Sequence, residues 1–239
     1  MSGKRQIVVV GGGGFGPLLD FVLGLTRRKK PRVCRIGTAT ADRPEATLGF
    51  YSAMVAAGAV PSHLDLFPMP NVSDIGAHLL QQDAVWVGGG SVANLLAVWR
   101  VHGVDRSLRE AWESGVVLSG VSAGGLCWFE AGTTDSFGVE LRPFTNGLGF
   151  LAGSHCPHYD SEERRRPTYH RLVSQGVIPA GYAADDGVAL HFVDRDLADV
   201  LADREVAKAW RVERAADGDG VIETAIAPRL VGENGEGPT

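Results

Sequence analysis

VVLSGVSAGGLCWFE, residues 116–130, sets the architecture expected for the whole chain. Val116–Ser119 is a short apolar run typical of a buried strand, and the residues from Ser122 to Glu130 are predicted to begin a helix. The glycines between the two permit the sharp turn that joins them. A strand, a glycine turn and a helix in this order are typical of one unit of a parallel α/β sheet.

The same alternation runs upstream of this stretch. The apolar runs predicted as strands are Gln6–Val10, Arg32–Gly37, His63–Phe67 and Ala84–Val87. The helices predicted between and after them are Pro17–Arg28, Pro44–Gly58, Asp74–Gln81 and a segment ending at about Arg100. Near-continuous apolar strands that alternate with helices predict an α/β fold, with a doubly wound, mostly parallel sheet and helices on both faces.

The second half of the chain is less regular. Leu148–Leu151 and Gly187–Val193 are predicted as strands, with a charged helix over Glu162–Gln175 between them. Glu205–Arg214 and Val221–Ile226 largely alternate polar and apolar residues, which predicts a C-terminal antiparallel edge hairpin. We interpret residues 1–231 as a single domain and residues 232–239 (GENGEGPT) as a frayed tail.

Composition excludes several classes of protein. The 239 residues are 44% hydrophobic, which is typical of a globular core and argues against disorder. A net charge of −5 makes nucleic acid and anionic membranes poor partners. The uncharged runs are too short for a membrane span of about 20 residues, and the apolar N-terminal run is too short for a signal peptide, so we expect a cytoplasmic protein. The three cysteines lack the spacing of a zinc or disulfide site.

The turn itself contains a G-x-S-x-G motif, Gly120–Gly124. A serine between a strand and a helix presents its hydroxyl at the carboxyl edge of the sheet, where a nucleophile can meet a substrate. A second glycine turn, Gly88-Gly89-Gly90-Ser91, follows the neighbouring predicted strand. Its N–H groups and that of Ala123 could together stabilise an oxyanion.

A serine nucleophile needs a base and an acid that orients the base. Among the seven histidines, His155 and His158 flank Cys156-Pro157, an irregular stretch suited to presenting an imidazole. For the acid, Asp135 is predicted to lie in a loop, from which a carboxylate turns back toward the base more easily than from a helix. Glu130, predicted on the helix after Ser122, is the alternative.

Four segments taken in order resemble a known family: GGGS (88–91), GVSAGG (120–125), CWFEAGTTDSFG (127–138) and SHCPHYD (154–160). They resemble peptidase E, the aspartyl dipeptidase family of serine peptidases. The resemblance covers residues 85–171 most clearly and implies a fold similar to class I glutamine amidotransferases, with serine in place of their cysteine. It further implies a homodimer, and a small peptide with an N-terminal aspartate as substrate; no cofactor or metal is required.

Carried over residue by residue, the resemblance implies roles for particular side chains. Ser122 matches the nucleophile and His158 the base. Asp135 is the nearest match to the acid, with Glu130 as alternative. The residues that match the oxyanion donors are Gly90 and Ala123. An arginine that holds the substrate's acidic side chain is expected among Arg164, Arg165 and Arg166.

Two other functions remain open from the sequence. A cyanophycinase-like hydrolase would use a similar serine on an aspartate–arginine polymer. A non-catalytic binder of nucleotides or other small molecules would use the loop Gly11–Gly16, which matches G-x-G-x-x-G. That fingerprint requires an acid about 20 residues further on, at the end of the second strand, but Arg32–Gly37 contains no carboxylate and the next one is Asp42.

Overall fold

The computed structural model describes residues 4–231, so the predicted tail 232–239 lies outside the described residues. The strands are β1 (Gln6–Val10), β2 (Arg32–Ile36), β3 (Val60–Leu64), β4 (Ala84–Val87), β5 (Val117–Val121), β6 (Phe129–Thr134), β7 (Arg142–Phe144), β8 (Leu151–Cys156), β9 (Gly181–Ala184), β10 (Val188–Val193), β11 (Asp196–Ala202), β12 (Ala209–Arg214), β13 (Val221–Ile226) and β14 (Arg229–Leu230). The helices are α1 (Pro17–Leu25), α2 (Pro44–Ala56), α3 (Ile75–Leu80), α4 (Val92–His102), α5 (Val104–Glu113), α6 (Ala123–Leu126) and α7 (Arg165–Ser174), with a 3-10 turn at Thr38–Thr40.

The first sheet has eight strands in the spatial order β14-β11-β10-β1-β5-β4-β2-β3. Five neighbouring strands pair in parallel, as the alternation of strands and helices predicts: β1, β5, β4, β2 and β3. In contrast, β10 pairs antiparallel with β1. The start of β10 therefore lies at the same edge of the sheet as the carboxyl ends of β1 and β5.

Helices cover both faces of this sheet. Ile7 and Val9 point into a core that includes residues of α3, α4 and α5, whereas Val8 and Val10 point into a core with α1 and α2. This alternation follows from the two-residue period of a strand, and it makes every residue of β1 after Gln6 buried. The prediction of a wound α/β sheet with helices on both faces is confirmed.

A second sheet of six strands was not anticipated as a separate layer. Its order is β13-β12-β9-β8-β6-β7, in which β6, β8 and β9 pair in parallel with one another and the outer pairings are antiparallel. The predicted hairpin forms, because β12 and β13 pair antiparallel over their whole length. It extends this second sheet through β9 rather than the first sheet.

Helix boundaries near the serine motif differ from the prediction. The helix after Ser122 ends at Leu126, and Glu130 lies on β6. The chain turns early because Trp128 and Phe129 are completely buried and enter the second sheet instead of continuing the helix. Among the described helices, none is long and apolar enough to span a bilayer.

Candidate active site

Ser122 lies at the turn between β5 and α6. Its backbone has φ 55° and ψ −117°, a strained conformation that L-residues rarely adopt. The turn closes tightly around its glycines, since a Cβ on Gly120 would lie 2.2 Å from the carbonyl oxygen of Gly124. A strained serine held between close-packed glycines matches the geometry that the G-x-S-x-G motif predicts.

His158 brings its imidazole to this serine from the end of β8. Its Nε2 atom lies 2.8 Å from Ser122 Oγ. The His158 backbone is also in the left-handed region, with φ 55°. Its N–H donates to the carbonyl of Gly11 at 3.3 Å, which ties the histidine to the loop that follows β1.

The neighbouring His155 is a structural residue in the second sheet. It is completely buried and stacks on Phe129 with 5.3 Å between ring centroids. Burial lowers the pKa of His155 to about 3, so its imidazole is neutral. Of the two histidines that flank Cys156-Pro157, only His158 contacts Ser122.

Asp186 is the carboxylate on the other side of the His158 imidazole. Its Oδ1 atom lies 2.7 Å from His158 Nδ1. Because an ionised carboxylate only accepts hydrogen bonds, Nδ1 carries the proton and Nε2 is left to accept from the Ser122 hydroxyl. The hydroxyl, the imidazole and the carboxylate thus form one hydrogen-bonded chain, which is the arrangement that activates a serine for nucleophilic attack.

The structure does not bring Asp135 or Glu130 to the imidazole, so the prediction that one of them contacts His158 is wrong. The Asp135 side chain is 58% exposed, and its nearest cation is Arg165, 3.9 Å away. The Glu130 carboxylate accepts the N–H of Gly153 at 2.9 Å. Both residues follow the serine closely in sequence, but β6 carries the chain into the second sheet.

Sequence reasoning missed Asp186 because of the direction of one strand. The predicted strand Gly187–Val193 is directly preceded by Asp185 and Asp186. In a parallel sheet, residues that precede a strand lie at the edge opposite the site. Since β10 is antiparallel to β1, Asp186 instead forms a β-bridge with Gly12 beside the site.

The glycine loop after β1 packs against the imidazole and the carboxylate. A Cβ on Gly12 would lie 1.8 Å from Asp186 Oδ1 and 2.5 Å from His158 Nδ1, so no side chain fits there. The Gly12 carbonyl accepts the N–H of Gly187 at 2.9 Å, and the Gly11 N–H donates to β10. These contacts tie the start of the loop to β10 and to the turn that precedes it.

The glycine turn after β4 lies beside the nucleophile. A Cβ on Gly89 would lie 3.2 Å from Ser122 Cβ, whereas one on Gly90 would contact Ala39 instead. Within residues 4–231, the N–H groups of Gly89, Gly90 and Ala123 donate no hydrogen bond. These three N–H groups are therefore available to a ligand next to Ser122.

All three candidate arginines make internal contacts: Arg164 donates to the carbonyl of Val139 at 3.1 Å, whereas Arg165 and Arg166 donate to carboxylates. Arg165 is buried, and its Nε donates to Glu162 at 2.7 Å. Arg166 donates to Glu223 on β13, and its guanidinium lies 4.6 Å from the centroid of the Trp210 ring. The Arg165 guanidinium is therefore enclosed in the protein, and the Arg166 guanidinium is held against Glu223 and Trp210.

Arg164 is exposed and borders a cavity of 360 Å³. The other residues that line this cavity are Asp135, Val139, Leu141, Glu162 and Glu163. The cavity borders the segment that carries the base, since the Glu162 N–H donates to the His158 backbone carbonyl at 3.2 Å, but Ser122, His158 and Asp186 do not line it. It combines one guanidinium with three carboxylates, groups that can bind a carboxylate and an ammonium respectively.

A further carboxylate lies behind the His158 loop without contacting His158. Glu223 accepts hydrogen bonds from Tyr159, from Arg166 and from His170, the last at 2.8 Å. Burial alone would raise the pKa of Glu223, but these hydrogen bonds outweigh it and hold the pKa below its usual value. Glu223 thus joins β13, α7 and the residue that follows the histidine.

Comparison with known proteins places these features in a family. The model of peptidase family S51 matches residues 4–200. The chain is 46% identical over 219 residues to an uncharacterised peptidase, YgaJ, of Bacillus subtilis (strain 168), covering 88% of this chain and 93% of that protein.

Two solved structures share the fold. The crystal structure of a peptidase from an acI-B1 Actinobacterium has a TM-score of 0.65 at 16% identity, covering 95% of this chain and 96% of the other. A putative peptidase E protein from Listeria monocytogenes EGD-e has a TM-score of 0.57 at 17% identity, covering 94% and 100% respectively. These similarities agree with the fold that the resemblance to peptidase E implies.

Proposed function

The chain belongs to peptidase family S51 and is a serine peptidase, and we propose that it cleaves short peptides through an acyl-enzyme on Ser122. The observation that carries the proposal is the continuous chain of hydrogen bonds from Ser122 through His158 to Asp186, with distances of 2.8 and 2.7 Å. Asp186 takes the place that the resemblance assigned to Asp135 or Glu130.

In the proposed reaction, Ser122 Oγ attacks the carbonyl carbon of the scissile bond as its proton passes to His158 Nε2. Asp186 stabilises the imidazolium and fixes the tautomer with the proton on Nδ1. The imidazolium then gives its Nε2 proton to the leaving amine, and the C–N bond breaks. Water, deprotonated by the same imidazole, hydrolyses the ester and restores the serine.

The negative charge that develops on the carbonyl oxygen needs hydrogen-bond donors on one side of the serine. The N–H groups of Ala123 and of Gly89 or its neighbour Gly90 are suited to this, because Ala123 follows Ser122, Gly89 packs against Ser122 Cβ, and none of the three makes another hydrogen bond within the described residues. Loss of one such donor typically reduces kcat by about 10²–10³.

For the substrate, we propose a peptide with an N-terminal aspartate. Arg164 would bind the aspartate side chain, because it is exposed, lines the cavity and donates only to the carbonyl of Val139 among the described residues, whereas Arg165 and Arg166 contact carboxylates. The carboxylates of Asp135, Glu162 and Glu163, which line the same cavity, would bind the free amino group. A site that binds the amino terminus in this way favours exopeptidase activity over cleavage within long chains.

The test uses wild-type protein, the Ser122→Ala variant and a panel of dipeptides that differ in the first residue. We expect wild type to cleave Asp-Leu faster than Ala-Leu or Lys-Leu, and Ser122→Ala to lose about 10⁴-fold or more in kcat. Mass spectrometry after treatment with a fluorophosphonate should find the label on Ser122. Full activity of a folded Ser122→Ala variant would contradict the proposed nucleophile.

Substrate recognition is tested separately. Arg164→Ala should raise KM for Asp-Leu by about tenfold, the loss of one charge-assisted hydrogen bond, and leave Ala-Leu unchanged. The matched control is Arg171→Ala, a change on α7 outside the cavity lining. An aspartate–arginine polymer belongs in the same panel, and its preferential cleavage would replace the dipeptide proposal with the cyanophycinase-like one.

A further inference from the structure

We propose that Asp160 and Arg204 form a clamp that positions Asp186, and through it the imidazole of His158. Neither residue contacts Ser122 or the imidazole by a hydrogen bond among the described residues, so both would act only through Asp186. The catalytic consequence of the clamp rests on the proposed function, whereas its effect on the geometry of the imidazole does not.

The clamp holds both ends of the Asp186 backbone. The Asp186 N–H donates to Asp160 Oδ1 at 2.9 Å. The Asp186 carbonyl accepts two hydrogen bonds from Arg204, from Nε at 3.1 Å and from Nη2 at 2.7 Å. Arg204 Nη2 also donates to Asp160 Oδ2 at 2.5 Å, which closes the ring of contacts.

Three separate segments meet in this clamp. Asp160 follows His158 by two residues, Asp186 precedes β10, and Arg204 follows β11. The distance between the base and its acid is therefore fixed through backbone contacts as well as through the side-chain hydrogen bond. A shift of the Asp186 loop would have to break contacts with the segment that also carries the histidine.

Gly12 packs against one side of the Asp186 carboxylate, but the turn that carries Asp186 is partly exposed and depends on hydrogen bonds as well. The Asp186 side chain is 32% exposed, and Asp186 precedes Gly187, which has φ 76°. Backbone hydrogen bonds from charged partners are stronger than those between neutral groups, and so suited to fixing an exposed turn. This arrangement leaves both carboxylate oxygens of Asp186 free of the clamp, and Oδ1 is bonded to His158.

The charges of the clamp are maintained by its own contacts. Burial acts to raise the pKa of Asp160, but the Asp186 N–H and Arg204 outweigh it and hold the pKa below its usual value. The hydrogen bond to Asp160 raises the pKa of Arg204. Both groups are charged at neutral pH.

An ordinary surface ion pair offers a comparison within the same chain. Arg229 and Asp199 pair at 2.7 Å, with side-chain exposures of 50% and 34%, close to the 42% and 31% of Arg204 and Asp160. Pairs of this kind contribute little to stability and nothing to a distant site. Arg229→Ala is therefore the matched control for Arg204→Ala.

The experiment measures the rate of fluorophosphonate labelling of Ser122 and the kinetics of dipeptide cleavage. Arg204→Ala and Asp160→Ala should each lower the labelling rate and kcat by about 10- to 100-fold, the cost of misplacing a catalytic group by about 1 Å, with KM nearly unchanged. Asp160→Asn should lower the labelling rate and kcat less than Asp160→Ala does, because the amide oxygen of the asparagine still accepts the Asp186 N–H. Arg229→Ala should match wild type.

A double-mutant cycle separates positioning from a general structural role. In a protein that already carries Asp186→Ala, adding Arg204→Ala should lower the labelling rate no further, because the residue through which Arg204 acts is gone. Additive losses in the cycle, or unchanged rates in folded Arg204→Ala and Asp160→Ala, would overturn the clamp.

A readout without chemistry distinguishes failure of the clamp from failure of the proposed function. The Nδ1 proton of His158 should give an exchange-protected downfield NMR signal in wild type, absent from Asp186→Ala and weakened or absent in Arg204→Ala. If wild type shows the NMR signal but is not labelled at Ser122, the proposed function is contradicted. The NMR comparison of wild type with the clamp variants still tests the clamp in that case. A signal unchanged in both clamp variants would overturn the clamp.

Discussion

Two clusters of carboxylates with an arginine lie on either side of the loop that carries His158, and only one of them serves the imidazole. In the Asp186 cluster (Asp160, Asp186 and Arg204), the arginine binds a backbone carbonyl and leaves the Asp186 carboxylate to His158. In the Asp135 cluster (Asp135, Glu162 and Arg165), the arginine is itself the buried group, and the Asp135 carboxylate faces solvent. Both clusters combine two carboxylates with one arginine, so position relative to the sheet edge, rather than charge, distinguishes them.

The largest difference between the clusters should appear when each aspartate loses its charge. Asp186→Asn should lower kcat by about 10⁴, because an amide at this position favours the wrong imidazole tautomer. Asp135→Asn should change kcat by only a few-fold, since Asp135 does not touch the imidazole. Steady-state kinetics on Asp-Leu give both values. The comparison would be reversed if Asp135→Asn lost more activity than Asp186→Asn.

The next effect tests how closely the Asp186 cluster is packed. Gly12→Ala should lower kcat by about 10² or more, because its Cβ would lie 1.8 Å from Asp186 Oδ1 and displace the carboxylate. Gly14→Ala, in the same loop, is the control, since a Cβ there has no heavy atom within 4 Å. Circular dichroism establishes that both variants fold. Equal activity of the two would show that the loop adapts and that the packing is not restrictive.

The Asp135 cluster should instead affect the stability of the fold. Arg165→Ala removes a buried guanidinium that donates to Glu162 and to the carbonyl of Thr133, and should lower the free energy of unfolding by about 2 kcal/mol. Arg164 precedes Arg165 in the sequence and is exposed, so Arg164→Ala should change the free energy of unfolding by less than about 0.5 kcal/mol. Urea unfolding at pH 7 measures both. If Arg165→Ala unfolded at the same urea concentration as wild type, the structural role of Arg165 would be contradicted.

The smallest expected effect concerns Glu223, a carboxylate that belongs to neither cluster. Its pKa is held below the usual value in the folded protein, so its contribution is present above the unfolded pKa of about 4.3 and is lost as the pH falls through the folded pKa. Glu223→Gln should therefore cost about 1 kcal/mol at pH 7 and progressively less below pH 4.

Urea unfolding of wild type and of the variant between pH 7 and pH 3 measures this difference. The control is Glu213→Gln on the neighbouring strand, where the carboxylate is half-exposed and pairs with Arg211. A cost of Glu223→Gln that is independent of pH would assign the effect to packing rather than to charge.

Sequence reasoning predicted the parallel core and the nucleophile from local patterns. Gln6–Val10 and Ala84–Val87 have the predicted bounds, and Ser122 is the strained residue that its motif indicates. Such features depend on a few consecutive residues. The contact between Ser122 and His158 also agrees with the resemblance, although the catalytic roles of both remain a proposal.

The acid and the arginines could not be predicted in the same way, because their roles depend on long-range pairing. Asp186 reaches the site only because β10 runs antiparallel to β1, and no local pattern gives the direction of a strand. Arg164, Arg165 and Arg166 are the same residue type in one run, yet Arg165 donates to the carbonyl of Thr133 on β6 and Arg166 donates to Glu223 on β13. A contact across 57 residues is not encoded in the spacing of a charged run.

The order in which the site's members occur along the chain has a consequence for biosynthesis. The nucleophile is made early, but Asp186 and the Arg204 that holds it come from the last strands of the first sheet. During translation, a chain that has exposed Ser122 and His158 still lacks the acid and its clamp. The three members of the proposed triad are therefore not all present until synthesis has passed residue 186, and the proposed clamp is complete only after residue 204.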